Sequence, residues 1–359
     1  MIEDMDIFGN ASSMHEAGRL AHSRVEKARS SVLSLINAKD GMLIFTSGGS
    51  EANNTVFHTM RRLAGERDEF IISAIEHPCV LNSALNLKND GFKVKIIGVD
   101  KYGKLDIDEL SKTLSGKTLF VSVMAANNEI GTVQDIAQIA SLVKNAGAFF
   151  HTDAVQITGK LPIDWQADYI TLSAHKIYGP KGVGALYAGK GSPLFPLIHG
   201  GHQEDGYRAG TYNNTGILAF GKAAEMAAEN IVNYEKTFLP LRDKLRAGLL
   251  EKIPNIKING HPKDTLPNTL NVSFPGAEGE SILLHMDIQG IQASTGSACA
   301  SGSLEPSHVL VATGAGAELA HGSIRFSMGG GIKEEDIDYI IETLPPVISR
   351  LRAMSTLPS

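Results

Sequence analysis

Two residues in this chain, a lysine and an aspartate, sit where apolar runs end, and both are types that do chemistry when held rigidly. Thr171-Leu172-Ser173-Ala174-His175-Lys176 closes a run containing Tyr169, Ile170 and Leu172, and Gly179-Pro180-Lys181-Gly182 follows as a tight turn. Lys176 is thereby expected at a rigid strand end beside a hydroxyl and an imidazole. An amine so placed can form a Schiff base with a carbonyl, above all that of pyridoxal phosphate. Most lysines beside turns are simply solvated, so a second signal is needed. It lies upstream, where Ala148-Phe149-Phe150-His151-Thr152-Asp153 reads as a strand with an aspartate at its carboxyl end. A buried carboxylate needs a partner. A pyridinium N–H is one such partner, and Gln156, three residues on, could donate to the phenolic oxygen of the same ring. The plainer role for Asp153 is a helix N-cap.

These two strand ends need a scaffold. Ser13-Met14-His15-Glu16 has capping-box form, and Ala21, Val25, Ala28, Val32 and Ile36 then recur at helical spacing. Met42-Leu43-Ile44-Phe45 reads as a short buried strand ending in Thr46-Ser47-Gly48-Gly49-Ser50-Glu51, with a helix from Ala52 to about Ala64 behind it. Strand, glycine-rich turn and helix N-terminus make an anion site, and no Gly-Lys-Ser/Thr follows, so it is not a Walker loop. Further strands at Phe70 to Ile75, Val94 to Val99 and Leu119 to Met124 alternate with helices from about Cys79, Ile107 and Asp135. Such alternation predicts an α/β fold with a mostly parallel sheet covered by helices on both faces, binding its ligand at the carboxyl ends of the strands. Glu76-His77-Pro78 and Ala125-Ala126-Asn127-Asn128-Glu129-Ile130-Gly131 fall at those ends.

Past a long helix from Gly216 to Val232 and a second from Phe238 to Ile253 the pattern becomes α+β. Strands are expected at Leu270 to Phe274, Ile291 to Ala293 and Ser323 to Ser327, a helix at Ser281 to Met286, and an amphipathic final helix from Lys333. The reading is a large domain over 10–231 and a smaller one over 232–359, joined by 1–9. At 359 residues two lobes are expected. A net charge of −6 argues against a nucleic-acid surface, and neither a membrane-length apolar run nor a signal peptide is seen. The two cysteines, Cys79 and Cys299, are too few for a disulfide framework and suit a reducing cytoplasm. His199 and His202 have ligand-like spacing but no third ligand near them, so no metal is expected.

Cys299 lies in Ser294-Thr295-Gly296-Ser297-Ala298-Cys299-Ala300-Ser301-Gly302-Ser303, a loop almost wholly of small residues. A structural cysteine would not need glycine and serine on both sides, so the thiol reads as an exposed nucleophile. Cys79, after His-Pro, reads as buried packing.

The motifs Ser-Ala-His-Lys, His-Thr-Asp-Ala-Val-Gln, Ala-Asn-Asn-Glu-Ile-Gly, Arg-Ala-Gly-Thr and Ser-Thr-Gly-Ser-Ala-Cys occur in the order found in cysteine desulfurases. The chain resembles their nitrogen-fixation and iron–sulfur-assembly branch, within the class V aminotransferase group of fold-type I enzymes. Ser303-Leu304-Glu305-Pro306-Ser307-His308-Val309 and Ala320-His321-Gly322-Ser323-Ile324-Arg325-Phe326-Ser327 also match it, so the likeness runs from about Phe8 to the end. The resemblance implies a cytoplasmic homodimer that uses pyridoxal phosphate to turn L-cysteine into L-alanine. Cys299 would keep the sulfur as a persulfide for an acceptor protein, either a cluster scaffold or a thiolation carrier. It further implies that Lys176 holds the cofactor and moves protons, Asp153 pairs with the pyridine nitrogen, and His77 stacks on the ring as an acid or base. Gly49, Ser50, Ser173 and His175 would hold the phosphate, with Thr211 reaching in from the second subunit. Asn128 and Arg325 would take the substrate carboxylate, Arg325 as a bidentate clamp. Alternatives are a related enzyme, either a selenocysteine lyase or an aminotransferase, or a catalytically impaired sulfur-relay partner. The last arises because relatives carry a strand and an Asp-Asn-Ala-Thr-Thr-like segment ahead of Phe-Gly-Asn-Pro. Here Met1 stands just before Phe8-Gly9-Asn10-Ala11.

Overall fold

The computed structural model describes residues 8–296 and 306–354. They form two units, one of 8–97, 107–125 and 135–231, the other of 98–106, 126–134, 232–296 and 306–354.

The first unit carries seven strands, β1 (Met42–Thr46), β2 (Glu69–Ser73), β3 (Lys93–Ile97), β4 (Thr118–Ser122), β5 (Phe149–Asp153), β6 (Tyr169–Ser173) and β7 (Gly184–Ala188). Their order is β1-β7-β6-β5-β4-β2-β3. β2 to β6 pair in parallel, while β7 runs antiparallel to both β1 and β6. Every residue of β2, β4 and β6 is buried, which is why these strands read as continuous apolar runs. The helices are α1 (Glu16–Leu35), α2 (Gly49–Leu63), α3 (Pro78–Asn89), α4 (Ile107–Thr113), α5 (Ile136–Asn145) and the start of α6 (Asn214–Lys252). Three of them cover the sheet, α2 on β6 and β7, α3 on β3 and α5 on β5.

Two expectations about helix ends fail here. The N-cap of α1 is His15, whose Nδ1 accepts from the Gly18 N–H at 3.2 Å. The expected Ser13–Glu16 box does not form, because the Ser13 N–H is spent on a turn to the Asn10 carbonyl at 2.9 Å and the helix opens later. The two helices expected after Gly216 are one helix of 39 residues with Pro240 inside it. A proline in mid-helix costs roughly 3 kcal/mol. Burial of Phe238, Leu245 and Leu249 around it is of that size or larger.

The second unit is built on an antiparallel sheet of β8 (Lys257–Asn259), β9 (Thr269–Ser273) and β10 (Ser323–Ser327), in the order β10-β9-β8. The rest of α6, with α7 (Gly279–Ile288), α8 (His308–Ala312), α9 (Ala317–His321) and α10 (Glu334–Met354), completes it. Its core gathers Leu245, Leu249, Val272, Phe274, Ile324 and Leu344. Residues 98–106 and 126–134 join it through polar links: Lys104 pairs with Asp264 at 3.0 Å, and the Asn271 amide donates to the Glu129 carbonyl at 3.1 Å. The strand expected at Ile291 to Ala293 is absent. Among the described residues the run makes a single bridge, from Ser294 to Arg325 on β10.

A buried polar pin crosses three strands of the first unit. His151 on β5 contacts Ser122 on β4 through Nδ1 at 2.8 Å and Thr171 on β6 through Nε2 at 3.0 Å. Burial drives its pKa down to about 3, so the ring is neutral throughout the working range. Beyond β2, Glu76 is fully buried and accepts from the Met124 N–H at 2.6 Å. Burial, with Asp153 nearby, raises its pKa well above the ordinary carboxyl value of 4.5. The folded chain therefore keeps a proton that the unfolded chain loses, and stability falls as pH rises above that value, until Glu76 ionises in the fold. The slope is about 1.4 kcal/mol per pH unit. In Glu76→Gln, whose amide oxygen can still accept from Met124, this fall should vanish. Urea unfolding at about pH 5 and about pH 8 should show the variant gaining on the parent at the higher pH, and parallel curves would contradict a neutral Glu76.

Candidate active site

Asp153 ends β5 as a buried carboxylate with two donors. Its Oδ2 accepts from the Asn53 side-chain amide at 2.8 Å, and its Oδ1 from the Val155 N–H at 3.0 Å. The second bond caps the following turn, so the N-cap-like role and a ligand-facing role coexist. Burial raises the pKa of this carboxyl, against which Asn53, Val155, His77 and Lys176 pull down. A cationic N–H donor in front of Asp153 would hold it ionised. Asn53 is itself completely buried on α2, and its Oδ1 has no hydrogen-bond partner among the described residues. A buried orphan acceptor of this kind marks a place where a donor belongs.

The glycine-rich turn leads straight into a helix, as an anion site requires. α2 begins at Gly49, earlier than the periodicity suggests, with Gly48 as N-cap and no side-chain cap on its N–H groups. A Cβ on Gly49 would come within 3.1 Å of Val155 and 3.9 Å of the Ser173 Cβ, so the missing side chain lets the helix end approach the ends of β5 and β6. Ser173 Oγ lies 2.8 Å from His175 Nδ1. Ser50 is exposed in the first turn of α2. The uncapped start of α2 and the Ser173–His175 pair are thus neighbours at the strand ends, and a helix N-terminus is favourable for an oxyanion.

Arg208 fastens the neighbouring loop to the same helix, through a bidentate pair with Glu51 at 2.8 and 3.1 Å. Glu51 also accepts from the Ser47 N–H at 2.8 Å. Three residues past Arg208, Thr211 is exposed.

Lys176 is the third residue of a 3-10 turn, Ala174–Ile177, set directly on the end of β6. The turn closes with Tyr178 in the left-handed region (φ 67°) and the Gly179 N–H on the Ala174 carbonyl at 2.9 Å. A Cβ at Gly179 would lie 2.9 Å from the Ala174 oxygen, so only glycine fits this return. Lys176 and His175 are both exposed. Gln156 accepts from Lys160 Nζ at 3.0 Å through Oε1, which aims its amide NH2 as the remaining donor. His77 caps α3, with Nδ1 accepting from the Cys79 N–H at 3.2 Å and lying 2.9 Å from Cys79 Sγ. Cys79 is half-buried and not merely packed: its sulfur also meets the Asn53 amide at 3.1 Å. Burial, with Asp153 nearby, pushes its pKa to about 11, which makes it a poor nucleophile at neutral pH.

In the second unit, Arg325 on β10 donates through Nη1 to the Asn128 carbonyl at 2.8 Å, so these two predicted residues are neighbours. Cys299 lies outside the described residues. On either side of its segment, Gly296 and Ser307 meet one buried carboxyl, that of Glu129. Ser307 Oγ donates to Glu129 Oε2 at 2.5 Å, and a Cβ on Gly296 would sit 2.6 Å from the same oxygen. Burial raises the pKa of Glu129, while Ser307, His308 and Arg325 lower it.

Sequence reasoning missed Asn53, the Arg208–Glu51 pair and the Glu129–Ser307 bond. Asn53 had one visible signal, a polar residue beside Ala52 on the buried face of a helix. Pairs more than a hundred residues apart leave none. Among the described residues no group of three His, Cys, Asp or Glu side chains could hold a metal, and no helix is long and apolar enough to cross a membrane.

Comparison with known proteins bears on the whole chain. The aminotransferase class V family model matches residues 3–340. A protein of Trichormus variabilis named cysteine desulfurase 2 is 46% identical over 98% of this chain and 88% of its own. Cysteine desulfurase IscS of Dictyoglomus turgidum is 44% identical over 97% of this chain and 89% of its own. Among solved structures, a NifS-like protein superposes with a TM-score of 0.90 at 37% identity, covering 97% of this chain and 95% of its own. A structure described as SspA in complex with cysteine superposes at 0.77 with 33% identity, covering 91% and 94%. Likeness of this depth, along nearly the full length, means that this chain belongs to the cysteine desulfurases of the aminotransferase class V family.

Proposed function

We propose that the chain converts L-cysteine to L-alanine with pyridoxal phosphate as cofactor, and that Cys299 retains the sulfur as a persulfide. The observation that carries this reading is the 46% identity, over 98% of the chain, to a protein named cysteine desulfurase. The residues fit the cofactor. The orphan Oδ1 of Asn53 and the carboxylate of Asp153 suit the edge of a protonated ring, and the uncapped N-terminus of α2, brought close to the strand ends by Gly49, suits a phosphate. Bound there, pyridoxal phosphate withdraws electrons from the substrate's Cα, which is what makes the carbon–sulfur bond breakable.

The protein's own residues do the rest. Asp153, held ionised by a ring N–H in front of it, would keep the proton on the ring nitrogen, and Gln156 would offer its amide to the phenolic oxygen. Gly49, Ser50, Ser173 and His175 bind the phosphate. Thr211, exposed on this chain, serves the phosphate site of a second copy, which makes the working unit a homodimer. Lys176 anchors the cofactor through its amine and returns a proton to the substrate's carbon skeleton. His77, at the start of α3, would assist at the cofactor as acid or base. Arg325 clamps the substrate carboxylate, steadied on the Asn128 carbonyl. The Cys299 thiolate attacks the substrate sulfur; the S–S bond forms as the Cβ–S bond breaks, and its electron pair takes a proton to complete the alanine methyl group. An acceptor protein, either a cluster scaffold or a thiolation carrier, then takes the sulfur.

Alanine and sulfide release from L-cysteine with a thiol reductant tests this directly. The parent should turn over, and Cys299→Ser should fall to background while staying yellow with bound cofactor; equal alanine release by both would contradict the role of Cys299. Arg325→Lys keeps the charge but loses the bidentate fork, so its KM for cysteine should rise about tenfold to a hundredfold. An unchanged KM in steady-state kinetics would remove Arg325 from the substrate site.

A further inference from the structure

The second unit contains a cavity of about 220 Å³ between α6, the edge strand β8 and the segments around Tyr102 and Thr265. None of the residues given a role above lines it. It contains two arginines, Arg242 and Arg246, one helical turn apart on α6, and one histidine, His261; no carboxylate lines it. The three differ in how far they are already committed. Arg242 is buried and already held on all three nitrogens, by Asp243 at 2.8 and 3.1 Å and by the Leu266 carbonyl at 3.1 Å. Arg246 has no ion pair or hydrogen bond among the described residues, and its Nε is shut off from solvent with no acceptor. A guanidinium with a buried, unmet N–H beside an open space is costly unless an anion fills that space. His261 points the same way. Its Nδ1 accepts from the Asp264 and Lys263 N–H groups at 2.8 and 3.2 Å, so in the neutral ring the proton sits on Nε2 as a further donor.

The rest of the wall limits the ligand. Ile130, Ile258 and Leu270 supply apolar surface, and the volume falls below the roughly 300 Å³ at which drug-sized sites begin. One uncommitted planar fork with one neutral donor matches a monoanionic carboxylate better than a phosphate dianion. We propose that this cavity binds a small organic carboxylate with a compact apolar body, anchored by Arg246.

Benzoate is a suitable probe, followed by isothermal titration calorimetry on the cofactor-loaded enzyme. The titration is done in Arg325→Ala, so that the proposed substrate-carboxylate position cannot contribute. Saturable benzoate binding is expected there. Adding Arg246→Ala should weaken it about tenfold or more, and Arg246→Lys, which keeps charge and volume, should weaken it less. Inorganic phosphate should not displace it. In the otherwise unaltered protein, Arg246→Ala should leave alanine release as it is and should not lower the thermal midpoint. Absence of saturable binding, binding indifferent to both Arg246 substitutions, or displacement by phosphate would each overturn the proposal. Because the assay needs no turnover, it stands or falls separately from the desulfurase reading.

Discussion

Burying a carboxylate at the end of a central strand is the constraint on which the rest of the first unit turns. Asp153 cannot stay charged there without donors, and the turn that follows the strand supplies only one, the Val155 N–H. The other has to come from a helix, so α2 must bring Asn53 to within 2.8 Å. That requirement fixes where α2 starts and explains the Gly48-Gly49 approach to the strand ends, and the free N–H groups of an oxyanion site come with it. Arg208 and Glu51 then tie the following loop to the same helix turn. The neutral His151, bonded across β4, β5 and β6, keeps the strand beneath Asp153 in register.

A second buried carboxyl organises the second unit in a similar way. Glu129 takes the hydroxyl of Ser307 and packs against Gly296, while the preceding residue, Asn128, holds Arg325 through its carbonyl. The two ends of the cysteine segment and the arginine proposed for the substrate carboxylate are thus tied to adjacent residues.

Much of this was legible in the sequence, for reasons of length and burial. The fully buried strands β2, β4 and β6 show as apolar runs, and the polar residues that end strands stand out against them, which is why Lys176, Asp153 and the glycine turn could be named beforehand. β8, with three residues, and α8 and α9, with five each, are too short to show a period. The sequence suggested two helices, Gly216 to Val232 and Phe238 to Ile253, whereas the burial of Leu245 and Leu249 that helps hold a single helix through Pro240 is not visible locally. His15 as N-cap was hidden because a serine three residues before a glutamate is the stronger local pattern. Asn53 and Glu129 escaped notice because their partners lie about a hundred residues or more away in the chain. The arginine cavity was invisible for the same reason, since its walls come from four separated segments.

The most direct test is to find where the sulfur goes. The chain has two cysteines, and the account assigns them opposite roles: Cys299 reactive, Cys79 held protonated by burial. After a brief reaction of the cofactor-loaded protein with L-cysteine and no reductant, alkylated peptides can be weighed by mass spectrometry. The account predicts one extra sulfur atom on the Cys299 peptide, formed in step with alanine, and none on the Cys79 peptide. Alanine formed with the extra sulfur on Cys79, or with no sulfur on either cysteine, would contradict it.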